Sequence, residues 1–290
     1  MASINPALML IIQESRELNS FLSLFELTGL KVSFVPTMGA LHQGHLALIR
    51  KANQSGGLVV CSIFINPTQF NKAEDFEKYP VQTQSDIDLL KANGCDVVFL
   101  PKKEEIYPDG TDYELPFEPG YLDEIMEGKF RPGHFKGVAQ VVYRLLELVQ
   151  PHELVMGEKD FQQLAVIRKM IEDLELGVEL IACRTVREKT GLAMSSRNQL
   201  LLPEHKENAK VIYQSMVECR ENLKSMKVSE AKKIAIEKIE SAGLKPEYFE
   251  LVDPISLFLV SDEQTERPVQ ACVAAWAGDV RLIDNMPVRH

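Results

Sequence analysis

Two histidines three residues apart, His42 and His45, lie in the run Val35-Pro-Thr-Met-Gly-Ala-Leu-His-Gln-Gly-His45 beside two glycines. An imidazole can donate, accept or shuttle a proton near neutral pH, and a spacing of three puts both rings on one side of a first helical turn. Lys31 to Val35 is a β-branched and aromatic run that reads as a buried strand, and Leu46 to Asn53 has its apolar residues on one helical face. Strand, glycine turn and helix start together make an anion site, because backbone N–H groups and the helix dipole point the same way. Gly39 and Gly44 would let that backbone come close to a phosphate. The same histidines can also be read as a plain helix cap or as half a metal site. A metal would need further Cys, His or carboxylate ligands and none is adjacent, so the nucleotide-phosphate reading is preferred.

Three further clusters offer complementary groups. Asn66 and Gln69, in Ile65-Asn-Pro-Thr-Gln-Phe70, follow a strongly apolar run and can hydrogen-bond a small polar substrate, although Asn-Pro is also an ordinary turn former. In Gly157-Glu-Lys-Asp160, Lys159 can meet a phosphate, and Gln163 one turn on can face the same cleft; a solvated charge cluster is the competing reading. Met194-Ser-Ser-Arg-Asn198 combines hydroxyl donors with a guanidinium, a set suited to a polyphosphate. Taken singly, it is equally a plain loop.

Positioning these groups falls to an alternation of strand-like and helix-like segments. Strands at Leu8–Gln13, Lys31–Val35, Leu58–Phe64, Asp96–Leu100, Glu153–Met156 and Val178–Cys183 alternate with helices at Glu14–Leu27, Leu46–Asn53, Gln82–Asn93, Val138–Val149 and Phe161–Leu174. Continuously apolar strands between helices predict a parallel sheet covered on both faces, with ligands outside the carboxyl ends of the strands. Met38–His45 and Gly157–Asp160 both fall at that edge. After about Thr185 the pattern changes. Two long charged helices, Pro203–Met226 and Ser229–Ala242, precede strands at Tyr248–Val252, Ala271–Ala275 and Val280–Asp284, with Gly278-Asp279 in turn position. The expectation is an α/β chain: a Rossmann-like parallel-sheet domain over 1–184, and a smaller C-terminal α+β domain over 185–290 that closes as a lid.

Composition narrows the function classes. Among 290 residues, 42 acidic side chains against 32 basic ones leave a net charge of −10, which argues against a nucleic-acid-binding surface. Five scattered cysteines without a C-x-x-C fit a reducing compartment. No basic residue precedes the apolar run Leu8 to Ile12, so it does not read as a signal peptide, and no run approaches the length of a membrane span. A cytoplasmic location is the default expectation.

Taken together, the blocks carry more than any one of them. His42-Gln-Gly-His45 resembles the HIGH motif of the nucleotidylyltransferase superfamily, and Met194-Ser-Ser-Arg197 resembles its KMSKS loop. Pro36-Thr-Met-Gly-Ala-Leu-His-Gln-Gly-His45, Phe64-Ile-Asn-Pro-Thr-Gln-Phe70, Arg131-Pro-Gly-His-Phe-Lys-Gly-Val138, Gly157-Glu-Lys-Asp-Phe-Gln-Gln163, Thr185-Val-Arg-Glu188 and Gly191-Leu-Ala-Met-Ser-Ser-Arg-Asn198 follow in that order. The set is similar to the pantothenate synthetase (pantoate–β-alanine ligase) family over essentially the whole chain. The resemblance implies ATP-dependent condensation of (R)-pantoate with β-alanine through a pantoyl adenylate, with release of pyrophosphate and AMP. It implies His45 as the catalytic histidine on the transferring phosphoryl group, with His42 beside it. ATP contacts are implied for Met38, Gly39, Ala40, Leu41, Gln43 and Gly44, for Gly157, Glu158, Lys159 and Asp160, for the backbone of Val186, and for Met194, Ser195, Ser196 and Arg197. Gln69 is implied on pantoate and β-alanine, and Gln163 on pantoate. Arg131 and His134 lie in a matching block, with shaping of the cleft as their expected role. Mg²⁺ bound with ATP and a homodimer are implied as well. One departure stands out: some family members carry adjacent acids where this chain has Ser85 and Asp86, so Asp86 is expected as an outer partner of the metal at most.

Other classes fit less well. A plain nucleotidylyltransferase would share His42 and His45 but lack the blocks around Gln69 and Gln163. A class I aminoacyl-tRNA synthetase would need an RNA-binding domain, against the acidic balance. A non-enzymatic nucleotide sensor has no need of His45, Lys159 and Arg197 together, and a serine hydrolase acting through Ser195 or Ser196 would need a G-x-S-x-G elbow.

Overall fold

Each apolar run read as a strand in the first 183 residues overlaps one in the computed structural model, which describes residues 9–70, 76–111, 114–264 and 266–289. The strands are β1 (Leu10–Ile12), β2 (Val32–Thr37), β3 (Leu58–Ile63), β4 (Val97–Phe99), β5 (Glu153–Gly157) and β6 (Glu179–Cys183); Leu8, expected in β1, lies outside the described residues. They form one sheet in the order β1-β4-β3-β2-β5-β6, every pair parallel. Successive side chains along a strand point to opposite faces, and this sorts two cores. Phe34, Val60, Val97, Phe99 and Leu154 pack on one side with Val138, Val142 and Leu145 of the helix His134–Val149. Val35, Val59, Cys61, Val98 and Val155 pack on the other with Leu48 and Ile49 of the helix Gln43–Ala52 and Leu90 of the helix Thr83–Ala92. Phe34 and Phe99 are fully buried, and truncating such a side chain to Ala costs about 3–5 kcal/mol.

The strand order reverses beside β2. The chain steps from β2 to β3 and β4 on one side, then returns to lay β5 and β6 on the other. Such a reversal opens a crevice at the carboxyl ends of the two flanking strands. The segments leaving those ends are the turn after Thr37 and the turn after Gly157.

The helix His134–Val149 starts four residues earlier than its apolar pattern predicts, because Gly137 lies inside it rather than before it. A Cβ on Gly137 would meet the carbonyl oxygen of Thr68 at 2.4 Å. Here the glycine serves close packing of the helix on the 67–69 turn, not helix breaking.

Beyond Cys183 the strands are β7 (Lys245–Val252), β8 (Val269–Ala277) and β9 (Val280–Arg289), antiparallel in the order β7-β8-β9. The helices Pro203–Asn222 and Val228–Ser241 pack on them through Ile212, Met216, Ala235 and Ile239 against Phe249, Val273 and Leu282. β9 runs past its expected end at Asp284, since the polar side chains of Asp284 and Asn285 both find partners inside the fold. The chain divides into two compact units. The described residues of Met1–Glu158 with Gln163–Cys183 make the first, and those of Lys159–Gln162 with Arg184–His290 make the second. Lys159–Gln162 thus groups with the C-terminal residues, whereas the sequence reading ran the first domain continuously to 184. Among the described residues no helix is long and apolar enough to cross a membrane.

Candidate active site

The turn after β2 is built from its first residue onward. Thr37 donates its hydroxyl to the Ser62 carbonyl at 2.8 Å and accepts the Gly39 N–H at 3.3 Å. Gly39 and Ala40 then both take left-handed backbone conformations, at φ +80° and +49°. A Cβ at position 39 would stand 3.0 Å from Asp86 Oδ2 and 3.1 Å from Ile63 Cγ2, so the turn requires glycine there. For Ala40 the left-handed conformation costs about 1–2 kcal/mol, and Asp86 offsets it. Its carboxylate accepts the Ala40 N–H at 2.8 Å and the Leu41 N–H at 2.7 Å, and the residue is 1% exposed. Burial lifts the Asp86 carboxyl above its usual value, and the N–H groups of Leu41 and Ala40 pull it back down.

His42 follows as the N-cap of the helix Gln43–Ala52. Its Nδ1 accepts the Gly44 N–H at 3.1 Å, and Nδ1 of His45 accepts the His42 N–H at 3.3 Å. The two rings lie 4.1 Å apart between centroids, tilted by 42°. A ring nitrogen that accepts does not carry the proton, so each neutral imidazole holds it on Nε2. The helix-cap reading of the sequence is thus met through Nδ1 of both rings.

This corrects the expected backbone cradle. The N–H groups of Gly39, Ala40, Leu41, His42 and Gly44 are answered by Thr37, Asp86 and the two imidazoles. The turn is held by that internal bonding, with the two rings adjacent at its end.

Gln69 meets the same turn: its Nε2 donates to the sulfur of Met38 at 2.8 Å. Asn66, read as a possible substrate contact, has another role. It is 1% exposed, accepts from the Tyr107 hydroxyl at 2.8 Å and donates to the Gly137 carbonyl at 3.1 Å, which pins the 67–69 turn to the neighbouring helix. Arg131 and His134 hold Gln69 from behind. A carbonyl oxygen only accepts, so His134 Nδ1 donates to the Gln69 carbonyl at 3.0 Å, and its Nε2 accepts from Arg131 Nη1 at 3.0 Å. Arg131 also reaches the Gln69 carbonyl at 3.4 Å and Glu127 at 3.5 Å. Together they fix the Gln69 backbone. Gln163 is the third residue of the helix Phe161–Asp173 and is half-buried.

In the second unit, Lys159 lies in the short turn Glu158–Asp160, with its ammonium 3.4 Å from Asp160 Oδ1. Val186 accepts the Met194 N–H at 3.0 Å, and Arg187 bridges to Ala193, so residues 186–194 form a narrow hairpin. The Ser195 hydroxyl accepts the Arg197 N–H at 3.3 Å at the start of the turn Ser196–Leu200. Asn198 Nδ2 donates to the Ala193 carbonyl at 3.0 Å and to Glu188 at 3.1 Å, tying the serine loop to the hairpin. Thr37, Tyr107, Asp284 and Asn285 take part in these networks without having been singled out from the sequence. Two adjacent polar residues inside a β-strand pattern were the one available signal, and it pointed only at Asp284 and Asn285.

No group of three or more His, Cys, Asp or Glu side chains is placed to hold a metal ion among the described residues. Asp86, with both oxygens bonded to backbone N–H groups, does not fit a metal ligand, so direct ligation of magnesium by this side chain is not supported.

The sequence pattern of the family described as Pantoate-beta-alanine ligase matches residues 10–287. The chain belongs to that family. A curated relative from Bacteroides thetaiotaomicron, named pantothenate synthetase, is 44% identical over 283 residues, covering 97% of this chain and 100% of the relative. One from Thermotoga petrophila with the same name is 43% identical over 281 residues, covering 96% and 99%. Among solved structures, pantothenate synthetase from Thermus thermophilus superposes with a TM-score of 0.89 at 40% identity, over 97% of this chain and 100% of that one. A pantoate-beta-alanine ligase from Francisella tularensis, crystallised with beta-gamma ATP and beta-alanine, gives a TM-score of 0.81 at 36% identity, over 97% and 98%. The parallel sheet with its smaller C-terminal α+β part is thus the fold of pantoate–β-alanine ligases.

Proposed function

We propose that the chain is an AMP-forming ligase that joins (R)-pantoate to β-alanine, using ATP and passing through pantoyl adenylate. The observation that carries this reading is the turn itself, where two adjacent imidazoles turn Nδ1 to the backbone and Gln69 lies against Met38. A pair of imidazoles and a side-chain amide from a second segment thus meet at one turn.

The chemistry follows from what a carboxylate lacks. Oxide is a poor leaving group, so the carboxylate must be activated before an amine can displace it. A carboxylate oxygen of pantoate attacks the α-phosphorus of ATP; a new P–O bond forms and the bond to pyrophosphate breaks. Negative charge grows on the phosphate oxygens, and fixed donors lower that barrier more than a protein nucleophile would. His45 Nε2–H serves the transferring phosphoryl group and His42 Nε2–H the neighbouring phosphate oxygens. Met38, Gly39, Ala40, Leu41, Gln43 and Gly44 line the nucleotide. Gly157, Glu158, Lys159 and Asp160 hold it further along, with the Lys159 ammonium on phosphate. The Val186 backbone meets adenine, and Met194, Ser195, Ser196 and Arg197 close over the triphosphate. The amine of β-alanine then attacks the acyl carbon; the C–N bond forms, AMP leaves with the bridging oxygen, and the amine loses a proton. Gln69 and Gln163 hold pantoate, with Gln69 also bordering the amine.

Magnesium enters with ATP as part of the substrate, and no protein carboxylate is assigned to it. The family resemblance, the acidic composition and the cysteine usage support a cytoplasmic homodimer without a nucleic-acid partner, and light scattering at twice the chain mass would bear out the dimer. The domain division at about 184 and the lid role of residues 185–290 belong to the same proposal.

Two measurements test the reading. With pantoate labelled by ¹⁸O in its carboxylate, one labelled oxygen appears in AMP; unlabelled AMP would exclude the acyl adenylate. Gln69→Ala and Gln163→Ala each weaken pantoate binding by about 1–3 kcal/mol while ATP binding changes little. Equal losses for both ligands by calorimetry would remove the two glutamines from the pantoate site.

A further inference from the structure

Asp284 and Asn285 are neighbours in β9, both buried, at 4% and 6% exposure. Asp284 receives Arg187 through both guanidinium arms, Nη1 to Oδ2 at 2.5 Å and Nη2 to Oδ1 at 3.0 Å. The same guanidinium donates to the Gly191 carbonyl at 3.0 Å and the Asn285 carbonyl at 3.0 Å, and lies 4.4 Å over the Tyr213 ring. Gly191 is left-handed at φ +92°, and a Cβ there would come within 2.3 Å of Tyr213, so the tip of the 186–194 hairpin is closed onto that ring. Asn285 has a second partner set. The Lys159 carbonyl needs a donor, so Asn285 Nδ2 supplies it at 2.8 Å, and Oδ1 then accepts from Gln270 Nε2 at 2.7 Å.

One point on β9 therefore supports two segments that are distant in sequence. Asn285 holds the backbone of Lys159. Asp284, through Arg187, holds the hairpin that presents Val186 and that Asn198 ties to Met194–Arg197. A buried ion pair adds little net stability over well-packed apolar residues, yet it fixes geometry, because a guanidinium with both arms engaged has one orientation. We infer that Arg187, Asp284 and Asn285 are positioning residues for the nucleotide, setting Lys159, Val186 and the Met194–Arg197 loop in register within the second unit. This rests on the reading of those three segments as ATP contacts. The contacts described for all three are with other groups of the protein.

The test is steady-state kinetics of the full chain with each substrate varied in turn, alongside thermal unfolding. Asn285→Ala raises KM for ATP about tenfold, the effect of losing one well-placed hydrogen bond's worth of orientation, while KM for pantoate and β-alanine stays within about twofold. Asp284→Asn does the same and also lowers kcat, because the hairpin and its serine loop shift together. Arg187→Lys, which keeps the charge but cannot engage both oxygens, raises the ATP KM as well. If Asn285→Ala does not fold, Asn285→Ser, which keeps a hydroxyl near Gln270 but does not reach Lys159, is read in its place. Lys159→Ala separates the two layers of the argument. An unchanged ATP KM in Lys159→Ala overturns the ATP reading of that segment. A raised ATP KM in Lys159→Ala beside unchanged values in folded Asn285 and Asp284 variants overturns the positioning inference alone. So does an equal rise in KM for all three substrates, the signature of general loosening.

Discussion

His45→Ala slows release of pyrophosphate from ATP and pantoate by on the order of 10² to 10³ while the chain stays folded. The size follows from removing one donor aimed at charge that grows in the transition state, in a site where water cannot substitute well. His45 accepts the His42 N–H at 3.3 Å, and loss of such a cap costs about 0.5–2 kcal/mol of stability. His42→Ala removes both the cap on Gly44 and the ring packed 4.1 Å from His45, so it costs more stability and disturbs His45 as well. Single-turnover pyrophosphate release, measured beside thermal unfolding, distinguishes these. A near-wild-type rate in folded His45→Ala would remove His45 from the chemistry.

Asp86→Asn lowers stability by about 1–3 kcal/mol, because an amide presents one acceptor and one donor to two backbone N–H groups. One of Ala40 and Leu41 then faces another N–H inside a buried site. The consequence for activity exceeds that for stability. Ala40 holds a left-handed conformation that Asp86 supports, and relaxation there moves His42 and His45. A displacement near 1 Å at the reacting groups costs on the order of 10²-fold in rate. Denaturant unfolding and kcat measured on the same preparation check both parts; wild-type values for each would show that Asp86 does not anchor the turn. The magnesium dependence separates anchor from ligand. At saturating ATP, an anchor leaves the Mg²⁺ requirement of the variant unchanged, whereas a ligand raises it.

Much of the architecture was legible because apolar runs have only a few ways to be buried. Leu58–Ile63 is apolar on both faces, and only a central parallel strand covered by helices satisfies such a run. The helix that begins at His134 was read only from Val138, because a close-packing glycine such as Gly137 looks like a breaker until its partner, here Thr68, is in view. The histidine pair was legible as a pair, but the use of Nδ1 for the backbone depends on helix start geometry. Asp86 could not be matched to Ala40 from the sequence, since the two lie 46 residues apart and the contact is made by the fold. Arg187 and Asp284 are 97 apart. Periodicity assigns a residue to a face and says nothing of which distant segment that face meets, and this is why the supporting networks around Gln69 and Lys159 emerged only with the structure.

The central claim is that this chain couples cleavage of ATP between the α- and β-phosphates to joining a hydroxy acid and an amine. AMP formation, followed by a coupled assay with each substrate omitted in turn, tests it most directly. The account predicts steady AMP production that needs ATP, pantoate and β-alanine together, with one pantothenate formed per AMP. AMP that accumulates equally well without β-alanine, or ADP in its place, would contradict it.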